Sequence, residues 1–93
     1  MVEDPEPEYD LAKLKIDIKE LPAGAAGLTK NKNYTCRILG GDYPEDGHWV
    51  IYEGETKIDT NVFTVSSPSG TIVKIKYYNK KDGVILERTT NVL

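Results

Sequence analysis

Leu14, Ile16 and Ile18 alternate with Lys13, Lys15, Asp17 and Lys19. A period of two is the mark of an extended chain with one row of side chains in a core and the other in water. A helix would smear the same apolar residues around its cylinder. The pattern returns at Tyr34, Cys36 and Ile38, at Trp49 and Ile51, at Phe63 and Val65, and at Val73, Ile75 and Tyr77. Between these runs the chain is punctuated just as regularly. Pro22 to Gly27, Gly40-Gly41, the polar segment Asp42 to Gly47, Glu53-Gly54-Glu55 and Ser66 to Gly70 are rich in residues that end strands and build turns. Thr56 to Ile58 has the length of a short returning strand, and Val62 to Val65 of another. About seven short strands, with a turn signal every ten residues or so and no segment at helical spacing, describe an all-β antiparallel sandwich or small barrel. The lysines on the outer row of the first run suit an edge strand, where charge discourages pairing with other molecules.

The last two runs make the plainest hairpin. A four-residue loop, Lys80-Lys81-Asp82-Gly83 with Gly83 left-handed, sets Leu86 opposite Tyr77 and Ile85 opposite Tyr78, so that both faces match. A two-residue Asp82-Gly83 turn would instead set Tyr77 against Arg88. The expected core is Leu14, Ile16, Ile18, Tyr34, Cys36, Ile38, Trp49, Ile51, Phe63, Val65, Val73, Ile75, Tyr77, Val84 and Leu86. A chain of 93 residues supports one such core rather than two.

Charge divides the chain. Residues 1–10 hold five acids and no base, together with Pro5 and Pro7, which predicts a disordered acidic leader or linker. The other ten acids against twelve bases leave residues 11–93, the folded domain, at +2 within an overall −3. No apolar run approaches the roughly 20 residues of a membrane span, so no membrane insertion is expected. A single cysteine excludes an intrachain disulfide.

The run Tyr34-Thr35-Cys36-Arg37-Ile38 followed by Trp49-Val50-Ile51-Tyr52 resembles the second and third strands of an immunoglobulin-like domain, with Trp49 as the core tryptophan. Ser69 to Tyr77 and then Asp82 to Ile85 look like the last two strands of bacterial and phage Ig-like domains and of their polycystic-kidney-disease and fibronectin type III relatives. The resemblance covers roughly Leu11 to Leu93. The partner cysteine of the sixth strand is missing, Val73 and Ile75 standing in its neighbourhood, which points to disulfide-free members of the family. The resemblance implies an immunoglobulin-like β-sandwich appended to a phage virion, as a decoration or tail domain, or to a bacterial surface protein, with the leader as its join to a larger parent assembly. A virion surface or extracellular location follows, and a monomer in isolation.

Residues that carry chemistry are few. Cys36 falls on the apolar side of its strand, where a neutral buried thiol is expected, and His48 faces the other way, so the two do not form a dyad. Asp42, Glu45, Asp46 and His48 have metal-ligand character, but their spacing is not that of a calcium loop and a solvated turn is expected. A sandwich this small seldom provides a cleft for paired carboxylates, and no glycine-rich phosphate loop leads into a helix, so neither an enzyme nor a cofactor is predicted. Asn33-Tyr34-Thr35 is a glycosylation sequon, meaningful only on a eukaryotic secretory route. What remains is a surface. Lys74, Lys76, Lys80, Lys81 and Arg88 gather on the last hairpin with Tyr78, while Tyr43 and Tyr52 are aromatics the core does not need and His48 sits at a strand start. These nine residues are the candidate interaction surface, for a host-surface protein or a glycan. A body of +2 with Glu87 interrupting the basic stripe argues against specific nucleic-acid binding. The alternative reading is a small carbohydrate-binding module that stacks sugars on Tyr52, Tyr78 and Trp49.

Overall fold

Alternation decides which way each strand faces, and the computed structural model, which describes residues 10–79 and 83–93, follows it nearly throughout. Among the described residues seven strands form: β1 (Lys15–Ile18), β2 (Asn33–Leu39), β3 (His48–Glu53), β4 (Thr56–Ile58), β5 (Val62–Thr64), β6 (Ile72–Asn79) and β7 (Gly83–Asn91). Two antiparallel sheets result, one ordered β1-β2-β5 and the other β4-β3-β6-β7. Ile16, Ile18, Tyr34, Cys36, Ile38 and Phe63 from the first sheet meet Ile51, Val73, Ile75, Tyr77 and Leu86 from the second in one buried cluster. Each of these large side chains stabilises the fold by about 1.5–3 kcal/mol through the water it sheds. β1 lies at an edge, as its lysines predict.

The two buried tyrosines keep their hydroxyls satisfied at the ends of the sandwich. Tyr34 Oη accepts a hydrogen bond from the Thr29 amide at 2.7 Å, and the Tyr77 hydroxyl donates to the Pro44 carbonyl. The connection from β2 to β3 turns back sharply at Gly40. Its φ of +112° lies outside what a side chain tolerates, and a Cβ there would stand 1.9 Å from the Lys13 carbonyl oxygen. Leu28 and Val92, both fully enclosed, close one end. Leu28 donates to Asn91 and accepts from Leu93, each at 2.8 Å, in a parallel bridge between the segment after Gly27 and the end of β7.

Four expectations need correction. The first strand begins at Lys15, because residues 11–13 coil into a turn closed by Lys13 N to Asp10 O at 3.0 Å. Glu53 is not part of the turn after β3: it pairs with Thr56, leaving Gly54 and Glu55 as a two-residue connection with Gly54 at φ +64°, and its side chain is buried. Ile85 does not face Tyr78. A bulge between Tyr77 and Tyr78 gives that place to Val84, and Asn79 pairs with Gly83; residues 80–82 of the expected loop lie outside the described residues. Trp49 is half-buried, packed on the rim of the core rather than within it. Of the predicted leader only Asp10 is described, and it is exposed.

Candidate binding face

β3 and β6 run side by side through the middle of the four-stranded sheet, and their register sorts the candidate residues into two faces. Trp49 opposite Tyr77, Ile51 opposite Ile75 and Glu53 opposite Val73 look into the sandwich. His48 opposite Tyr78, Val50 opposite Lys76 and Tyr52 opposite Lys74 look out. Five of the nine predicted surface residues, His48, Tyr52, Lys74, Lys76 and Tyr78, therefore share one exterior face.

The rings and ammonium groups on this face are organised. His48 and Tyr78 stack with centroids 5.2 Å apart and planes 8° from parallel. The Lys76 ammonium lies 5.6 Å from the centre of the Tyr52 ring, a cation–π contact. Val50, between these two groups, is only 3% exposed although it belongs to the outward series, because the long side chains flanking it cover it. Lys57 on β4 is the other cross-strand neighbour of Tyr52, so that Lys57, Tyr52 and Lys74 stand in a row across three strands. Glu87 faces Lys76 from β7, and Thr89 faces Lys74. Among the described residues neither Lys74 nor Lys76 enters an ion pair, whereas Lys57 approaches Asp59 at 3.8 Å. A shallow hollow of about 310 Å³ opens beside Tyr52, lined by Gly54, Ile72, Lys74 and Lys76. Ile72 is half exposed there, the apolar end of the β6 row that continues with Lys74 and Lys76.

The remaining candidates lie elsewhere. Tyr43 packs edge-on against Tyr77 at 5.8 Å and belongs to the margin of the core. Arg88 faces Ile75 and so points inward from β7, where its Nη1 donates to the Ile16 carbonyl at 3.2 Å. It joins the free edges of the two sheets over a groove of about 520 Å³ that Leu14, Ile16 and Leu21 also line. Lys80 and Lys81 lie outside the described residues. Trp49 is turned to the inner side against Tyr77, at 5.0 Å, and cannot join a platform with Tyr52 and Tyr78. Lys57, Gly54 and Ile72 were missed. Reading Gly54-Glu55 as a tight turn would have placed Lys57 beside Tyr52.

Cys36 is 1% exposed in the opposite sheet, and burial pushes its thiol up to about 12, with Arg88 opposing and Glu20 and Asp17 adding to the rise. It and the exposed His48 occupy different sheets and different layers. Among the described residues no three His, Cys, Asp or Glu side chains converge as metal ligands, Asp42, Glu45 and Asp46 being exposed. The register thus places three rings, His48, Tyr52 and Tyr78, and three ammonium groups, Lys57, Lys74 and Lys76, on one outward face of paired strands. No protein-family model, characterised protein or solved structure matches the chain.

Proposed function

We propose that the chain is a non-enzymatic immunoglobulin-like interaction module, displayed on a virion or a cell surface and touching its partner through the outer face of the four-stranded sheet. The division of strands supports the family: first, second and fifth against third, sixth and seventh, the fourth joining the third. So does a third-strand tryptophan turned toward the core. The acidic leader is the join to a larger parent, and the folded unit is a monomer by itself. The only thiol being enclosed and un-ionised, and the only histidine being stacked on a tyrosine, fits a part without nucleophilic chemistry.

The observation that carries the reading is the outward set His48, Tyr52, Lys74, Lys76 and Tyr78, its three rings each held by a neighbour on the face. Groups held in place before contact lose little entropy on binding, which is what a recognition surface requires. Antibodies raised against the chain should label the outside of the particle or cell that carries it. Tyr52→Ala with Tyr78→Ala should leave the labelling intact and abolish attachment of that particle or cell to its target. Labelling confined to the cytosol, or full attachment by the displayed double variant, would sink the proposal.

A further inference from the structure

Resting on that reading of the face, we infer that the hollow beside Tyr52 receives an anionic saccharide, a sugar ring bearing a carboxylate or a sulfate. Three observations converge on this chemistry. The first is charge. Lys74 faces Tyr52 across the strands and Lys76 lies over its ring; on the other side Lys57 is already paired with Asp59 at 3.8 Å, and Glu87 faces Lys76 from β7. Lys74 and Lys76 have no carboxylate partner among the described residues, so their charge is free for a ligand. The second is shape: about 310 Å³ with Tyr52 on one side, Ile72 on another and Gly54 leaving an opening without a side chain. An aromatic wall with an aliphatic one suits the C–H face of a sugar ring, and the ammonium groups suit its acid.

The third is the place of the hollow in the sheet. At Tyr52 and Glu53 β3 is paired with β4 and with β6, and at Val73 and Lys74 β6 is paired with β3 and with β7, so the sheet at the hollow presents no strand edge for an added peptide strand. Recognition there falls to side chains alone. Single-stranded nucleic acid fits less well, because it needs a continuous basic track, and Glu87 stands opposite Lys76 on this face.

The test is an NMR titration of the ¹⁵N-labelled full chain. The probes are trigalacturonate, a sulfated heparin disaccharide, neutral maltotriose, a glutamate-rich peptide and oligothymidylate. Saturable amide shifts centred on Tyr52, Gly54, Ile72 and Lys74 are expected with one or both anionic sugars, and the pair of sugars separates carboxylate from sulfate as the source. Affinity should fall at least about tenfold for maltotriose and for Lys74→Gln with Lys76→Gln, as loss of charge-assisted bonds implies. Lys30→Gln, on a distant turn, should change nothing. The inference is overturned by a lack of saturable shifts with both anionic sugars, by shifts scattered equally over lysines elsewhere, or by equal or tighter binding of the peptide or oligonucleotide at the same amides. Should surface labelling and loss of attachment hold while the sugars fail, the module reading stands and the saccharide falls.

Discussion

Cys36 shows how one enclosed residue carries a consequence for the whole chain. Its thiol has an ordinary value of 9.0 and is pushed up to about 12 in the fold. The sign follows from which state holds the proton. Below 9 both states keep it, and the contribution of the neutral thiol to stability is complete. Between about 9 and 12 the unfolded chain releases a proton that the folded chain retains, so stability falls as pH rises through that window. The slope is at most about 1.4 kcal/mol per pH unit. Urea unfolding at stepped pH should therefore show a steeper alkaline loss for the native sequence than for Cys36→Ala, tyrosine ionisation being common to both. At about pH 8 the folded thiol should resist Ellman's reagent and react once denatured. Gly40 gives a second residue-scale prediction. With φ +112° and the Lys13 carbonyl against the Cβ position, Gly40→Ala should cost on the order of 3 kcal/mol, read as a lowered urea midpoint with unchanged m. The inward place of Cys36 was legible because alternation with Thr35 and Arg37 fixes parity. That of Gly40 as a stop was legible too, but the close approach to Lys13 was not, since it joins segments far apart in sequence.

At the scale of the strand, legibility tracks parity and fails where parity is broken or outvoted. Val50 reads as outward and is outward, yet it is covered, because burial depends on the reach of its neighbours as well as on direction. Counting back from the loop sets Ile85 against Tyr78, but the bulge passes Ile85 over and puts Val84 there, with Leu86 opposite Tyr77. Arg88 was grouped with Lys74 and Lys76 by sequence proximity, although its parity on β7 aims it at the groove beneath the sheet edge. Next to Gly54, Glu53 reads as part of the turn Glu53-Gly54-Glu55. In the structure one carboxylate oxygen accepts from the Ser66 amide at 2.8 Å and the Ser67 amide at 2.9 Å, tying the end of β3 to the segment after β5. A buried acid stays because those two donors would otherwise be unpaired. Glu53→Gln keeps an acceptor oxygen of the same reach, whereas Glu53→Ala leaves both amides empty. The alanine variant should lose about 2–4 kcal/mol and the glutamine variant clearly less, by chemical denaturation. Faster hydrogen exchange at Ser66 and Ser67 should accompany the alanine alone.

Closure of the whole molecule depends on residues outside every alternating run. Leu28 is isolated between Gly27 and Thr29, and Val92 follows the last strand, so neither has a period to announce it; both are enclosed, at 0% and 1% exposure. The end of β7 is held from two sides. Val92 N donates to Thr71 O at 2.9 Å and its carbonyl accepts from Gly70 at 2.7 Å, while Leu28 bridges from the segment between β1 and β2. That segment leaves the edge of the three-stranded sheet and pairs with the final strand of the other, so it ties the two sheets at one end. At the groove, Arg88 reaching Ile16 is the corresponding tie along the edge. A sandwich bound this way should not open one sheet at a time. Leu28→Ala should cost about 3 kcal/mol and Val92→Ala about 2 kcal/mol, from lost transfer energy and the space left behind. Because the two residues share one bridge, the first removal loosens what the second would have lost, and the double variant should fall short of the sum by about 0.5 kcal/mol or more. Urea unfolding followed by Trp49 fluorescence and by far-ultraviolet circular dichroism checks both points. Additive losses, or transitions that separate between the two probes, would mean that the end tie is local and that the sheets come apart independently.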